Sequence, residues 1–268
     1  MIQLFKKIRK KLIAEKRLVN YLAYAIGEIL LVVIGILLAL QFNNKNQEQE
    51  NTKKERGYLI SIVEDIEYQK VILKDMKRHS LESIEVAKSI IKDFDDNKSF
   101  IGIDSLNDKL NYLIETYNFP NTNNTYSELV ASGQLNLIKD KALSIDIINY
   151  YLNSQESADD VKNNIENIFY PEVYPTIKKL CQITMYDEDV GEDEDFLLGE
   201  YKELETLINQ RLQKPEIKLD LLNAIKIRIQ ILSVHTFMIN DILEIAKELI
   251  ESIDNYLGLT PDMVNHYD

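Results

Sequence analysis

Histidine, cysteine and closely spaced acids are the residues from which a chain builds a metal site, a nucleophile or an acid/base pair. In these 268 residues they are few or scattered. The histidines are His79, His235 and His266, with no HExxH motif, no pair at the spacing that puts two imidazoles on one helix face, and no cysteine cluster, so no zinc site is expected. His235 falls inside an apolar-periodic stretch and reads as a packed core histidine rather than a base. Cys181 is the one cysteine. No low-pKa partner stands beside it in sequence, it forms no intramolecular disulfide, and it reads as a small buried residue. There is no GxSxG, Walker loop or GxGxxG. Among 44 acids a carboxylate pair can be drawn anywhere, so spacing selects none. The acidic run Asp187 to Asp195 invites calcium. With Asp189 as position one, however, position three is Gly191 and position six is Glu194, where an EF-hand needs a ligand and a glycine. The run reads as a solvated loop. The expectation is a chain with no catalytic, cofactor-binding or metal-binding residues, and not an enzyme.

The acid that stands out is Glu28. Residues 22 to 40 (LAYAIGEILLVVIGILLAL) carry it as their one charge, and twelve of these nineteen are Leu, Ile or Val. As a helix the segment spans ~28 Å, about a hydrocarbon core. The summed transfer of the apolar residues outweighs one central charge. A basic start followed by an apolar run also describes a cleaved signal, but Ala39-Leu40-Gln41 offers no small-x-small exit. The segment therefore reads as an uncleaved signal anchor over residues 21–42. Residues 1–20 hold seven cations and one acid, which places them in the cytoplasm by the positive-inside rule. At 100° per residue Tyr24, Glu28, Leu31, Gly35 and Ala39 share a stripe, and Gly35-xxx-Ala39 is a small-xxx-small pair that admits a second helix. Two readings of Glu28 stand: it hydrogen-bonds across a helix contact, or it tilts toward the headgroups.

The elements follow from glycine and proline. Eight glycines and five prolines are too few for the turns of a sheet protein of this length, so the expected fold is all-α: one transmembrane helix followed by an extramembrane helical bundle with long helices, the bundle itself of five to seven helices. Residues 43–57 are polar without proline and read as a helical stalk, and 58–268 as a periplasmic domain. Apolar residues from Leu59 to Phe94 recur at three and four, ending at Asp95-Asp96-Asn97. A short helix is expected over Ser105 to Tyr117. Then Thr125-x-x-Glu128 is spaced as a capping box, Gly133 is placed to end that helix in the left-handed conformation, and Asp140 to cap the next. That helix is expected to run from Lys141 to Phe169 until Pro171 and Pro175 break it. Two more cover Glu200 to Gln213 and Glu216 to Tyr256, with all five prolines between elements. The body is acidic, which argues against nucleic-acid binding.

The stretch from Tyr24 to Asn43 (YAIGEILLVVIGILLALQFN), with Thr125-Tyr-x-Glu128-Leu and Ser132-Gly133-x-Leu135-x-Leu-Ile138, resembles an uncharacterised family of single-pass membrane proteins from Bacteroidota-type bacteria that carries a domain of unknown function. The resemblance implies a Gram-negative inner membrane and a periplasmic helical domain. It implies no activity, ligand or cofactor. The expected partners are the lipid bilayer and either a second copy or another membrane protein met through the transmembrane helix. The expected role is an interaction or scaffold subunit of a membrane assembly, with a periplasmic ligand sensor as the alternative and an enzyme third.

Overall fold

A computed structural model describes residues 18–183 and 201–259. The basic tail before residue 18, the acidic run 187–195, Glu200, Pro261 and His266 lie outside the described residues. Those described are helical, with no strand among them. The chain divides into two compact units, one ending at Gly57 and one beginning at Tyr58.

Helix α1 (Leu18–Asn97) contributes to both. In the first unit its side chains from Leu22 to Phe42 are exposed except Tyr24 and Ala25, which are half-buried. The polar stretch 43–57 is helical throughout, with i, i+4 bonds such as Gln47 Nε2 to Asn51 Oδ1 at 3.1 Å. Gly57 does not interrupt it, because one glycine costs only ~1 kcal/mol among strong helix formers. Among the described residues two helices are long and apolar enough to cross a bilayer. The apolar window of α1 has no buried residue, whereas part of the window in the last helix is buried.

In the second unit α1 buries Leu59, Ile62, Ile66, Leu73, Met76, Ile84 and Ala87, the face its periodicity marks. It stops at Asn97, after which Lys98 turns left-handed with φ 52°. Helix α2 (Leu106–Leu113) is shorter than expected, because residues after Ile114 extend toward Pro120. Helix α3 (Asn124–Ala131) corrects the capping box. Thr125 lies inside the first turn, its N–H donates to Asp65 Oδ2 of α1 at 3.0 Å, and Glu128 accepts the Tyr58 hydroxyl at 3.1 Å. A carboxylate sixty residues earlier accepts the amide that Glu128 was spaced to accept. Gly133 ends the helix at φ 66°. Asp140 Oδ1 caps α4 (Lys141–Asn164), accepting from Ala142 N at 2.8 Å and Leu143 N at 3.1 Å.

The prolines need a second correction, since Pro171 and Pro175 sit inside helical turns. After α4 the chain continues as a π-helical segment, Ile165–Val173, into α5 (Tyr174–Ile177). A wider π turn moves the preceding carbonyls away from the Pro171 ring, and Pro175 occupies a first turn, where its missing N–H costs little. Helix α6 (Lys202–Leu212) leads to α7 (Pro215–Leu257), which opens on a proline and closes on Gly258 at φ 67°.

Two apolar clusters form the core. One joins Leu59, Ile62 and Ile66 of α1 to Ile147 and Tyr150 of α4 and to Ile239, Ile242, Ala246 and Ile253 of α7. The other joins Ala87 and Ile90 of α1, Leu110 and Leu113 of α2, Phe169 and Val173 of the π segment and Leu221, Ala224 and Ile225 of α7.

Candidate functional site

The stripe read from the sequence lies on the first unit. Glu28, Leu31 and Ala39 are exposed and Tyr24 is half-buried. A Cβ built on Gly35 meets no atom within 4 Å. An exposed apolar cylinder with one carboxyl and a small-residue notch is suited to hydrocarbon and to a second helix.

The second unit holds a polar site that lies between the two apolar clusters in chain order. On α1 the stripe that buries Leu73 and Met76 passes through Ser80 and Ser83 before Ala87; on α7 it passes from Ile225 through Arg228 and His235 to Ile239. Both helices thus place polar residues at core positions at one level. They line, with Glu115, Thr116 and Tyr117 of the segment after α2, a partly open cavity of about 10 Å³, roughly one water molecule.

Arg228 dominates it. The residue is 3% exposed, its guanidinium lies over the Phe169 ring at 4.6 Å, and Nη2 donates to the Glu115 backbone carbonyl. Its Nε has no hydrogen-bond partner. Burial pushes the group down to about 10, opposed by the Glu115 carboxylate at longer range, so it is charged at neutral pH. His235 is 3% exposed, with Nε2 at 3.5 Å from Asn164 Nδ2. Burial first, and the Arg228 charge second, push it down to about 4, so it is neutral. It is a core histidine, and its bonding is sparse.

His79 stacks on Tyr117 with ring centroids 5.1 Å apart. Its Nε2 lies 3.0 Å from Nη2 of Arg78. A guanidinium only donates, so Nε2 accepts and the ring proton of the neutral form sits on Nδ1. That atom is buried and makes no hydrogen bond, with Glu82 Oε2 3.8 Å away. The cavity is therefore lined by Arg228, whose buried Nε makes no hydrogen bond, and by His79, which sits between Asp75 Oδ2 at 3.6 Å and Glu82 Oε2 at 3.8 Å.

Three carboxylates face these groups: Asp75 and Glu82 lie beside His79, and Glu115 acts on Arg228 through its charge. Glu82 accepts Tyr112 at 2.8 Å and Arg78 at 3.1 Å, which holds its carboxyl below the usual range, and pairing with Arg78 does the same for Asp75. Glu115 accepts the Tyr117 hydroxyl at 3.2 Å. Among the described residues no group of three or more His, Cys, Asp or Glu is placed to hold a metal ion.

A second concavity, an open groove of about 270 Å³, is lined by Lys178, Lys179 and Arg211 around Leu204, Leu207 and Ile208. Cys181 lies in it, buried, its thiol donating to the Ile177 carbonyl at 3.5 Å and pushed up to about 11 by burial. Such a thiol is not a nucleophile at neutral pH. Sequence reasoning singled out His235 but missed Arg228. The available signal was a charged residue three positions after Ile225 and four before Leu232, in the stripe itself.

No curated protein and no solved structure matches the chain. A family model does match, over residues 28–197, from Glu28 through the α3 corner to the segment after α5. That is more than half of the sequence, and the chain belongs to the family of unknown function DUF6090.

Proposed function

We propose that this chain is a single-pass protein of a bacterial inner membrane, signal-anchored with residues 1–20 in the cytoplasm and its helical unit in the periplasm. It works by interaction rather than catalysis, as a scaffold or accessory subunit of a membrane assembly. The observation that carries the reading is Glu28, the one charge of an exposed apolar helix segment, on the same stripe as Gly35 and Ala39. A lone carboxyl in hydrocarbon is costly unless a hydrogen-bond partner receives it, and a small-residue notch is where a partner helix approaches. The family match supports it, because it joins the apolar segment to the helical body. On this reading the unit from Tyr58 is an all-α bundle that presents a binding surface.

Cross-linking in native membranes, followed by capture of the full chain, tests this. The wild type is expected to yield a discrete cross-linked species, Glu28→Gln to retain it as a neutral hydrogen-bonding group, and Glu28→Leu to lose most of it. Identical cross-linking by all three, or a lone monomer throughout, overturns the contact.

A further inference from the structure

We propose that residues 115–118 form a lid over the polar level of the core, which opens as one unit and admits water to Arg228 while α1 and α7 stay packed. The inference uses residues of the second unit alone, so it is independent of where the chain resides.

How the segment is held is the first argument. Residues 115–123 are not helical, and among the described residues none of 115–122 makes a backbone–backbone hydrogen bond. What holds 115–118 comes from side chains of other elements. Arg228 Nη2 of α7 donates to the Glu115 carbonyl, the Tyr170 hydroxyl of the π segment lies 3.4 Å from Thr116 Oγ1, and His79 of α1 stacks on Tyr117. The bond from the Tyr117 hydroxyl to Glu115 Oε2 lies within the segment and travels with it.

The ends of the segment are the second argument. Leu113 before it and Phe119 after it are buried, whereas Glu115 and Thr116 are half-buried and Tyr117 and Asn118 are exposed. Upstream, Asn111 Nδ2 ties α2 to the Gln182 carbonyl at 2.8 Å. Downstream, the Pro120 carbonyl accepts Gln69 Nε2 at 2.8 Å, and the proline ring keeps Phe119 out of the helical region. Motion is thereby confined to four residues between two fixed points. None of the four belongs to either apolar cluster.

What lies beneath is the third argument. The lid covers a cavity whose wall carries His79, Ser80, Ser83, Arg228 and His235, so much of what it uncovers is polar. Arg228 is 3% exposed and its Nε makes no hydrogen bond. Water admitted by opening supplies that bond and relieves part of the desolvation of the guanidinium, which offsets the lost bond to Glu115 and the lost stack. Opening therefore costs little beside global unfolding.

The test is thiol labelling of the full chain in detergent, in a Cys181→Ala background, at rising urea below the unfolding transition. Ser83→Cys puts the reporter on the cavity wall, and Ala246→Cys puts one in the apolar core. The Ser83→Cys reporter is expected to label at a rate nearly independent of urea, because four residues expose little surface. The Ala246→Cys rate is expected to climb steeply, as global unfolding does. Asn118→Gly changes a lid residue that is not on the cavity wall, widens the open ensemble, and is expected to speed labelling of Ser83→Cys about threefold. If Ser83→Cys does not fold, Ser80→Cys on the same wall takes its place. A urea slope at the cavity as steep as that of Ala246→Cys, which would mean access by global unfolding only, overturns the proposal. So does a rate unchanged by Asn118→Gly, which would mean a fixed mouth.

Discussion

Gln69 joins three segments that are far apart in the chain. It is 1% exposed, its Nε2 donates to the Pro120 carbonyl and to Ser154 Oγ, each at 2.8 Å, and its Oε1 accepts the Tyr150 hydroxyl at 2.7 Å. Gln69→Leu leaves all three partners unmatched in the core and is expected to lower unfolding free energy by ~2–4 kcal/mol, whereas Tyr150→Phe removes one bond for ~1 kcal/mol. Denaturant titration of both variants checks the order, and a loss under ~0.5 kcal/mol for Gln69→Leu contradicts it. His235 gives a pH signature. Its folded value of about 4 lies below the ordinary 6.5, so between these the unfolded chain binds more protons. Stability from the neutral ring is complete above 6.5, falls as pH drops through that window, and changes no further below about 4, for a total of order ~3 kcal/mol. His235→Gln is expected to flatten the urea midpoint across this window; a wild-type slope unchanged by the substitution contradicts the assignment. At this scale little was legible beforehand. His235 reads as core because its neighbours are periodic, but that Arg228 and His79 share one cavity depends on α1 and α7 meeting, which spacing along one helix does not encode.

Helix ends were the most legible feature, because their chemistry is local. Asp140 and Gly133 act where the sequence places them, and both are testable. Asp140→Ala is expected to cost ~1 kcal/mol through the lost cap, and Gly133→Ala ~1–2 kcal/mol through the left-handed backbone. Gly57→Ala runs the other way. The residue is inside α1, a Cβ there meets nothing within 4 Å, and the change is expected to stabilise by ~0.5–1 kcal/mol. Thermal melts of the three variants should split by sign; a destabilised Gly57→Ala contradicts the uninterrupted helix. What was not legible was non-local or cooperative. Thr125 and Glu128 have the spacing of a capping box, yet the Thr125 N–H goes to Asp65 of α1, and the Glu128 carboxylate accepts the Tyr58 hydroxyl instead. Pro171 has the look of a helix breaker, yet the π turn absorbs it.

For the whole molecule, composition led to the correct class, since a chain poor in glycine and proline is helical in every described element. Its two long apolar helices have opposite fates that periodicity separates. The apolar run of α1 is uniform around the helix and none of it is buried, whereas α7 alternates and packs one face into both clusters. The uniform helix is the one proposed to cross the bilayer and meet a partner. The most direct measurement is oxidative cross-linking of single cysteines placed along it in native membranes, with buried Cys181 silent. Ala39→Cys lies on the Glu28 and Gly35 stripe, and Leu37→Cys on the opposite side of the helix. The account expects a discrete cross-linked band from Ala39→Cys and monomer from Leu37→Cys; equal cross-linking at both positions, or none at Ala39→Cys, would contradict it.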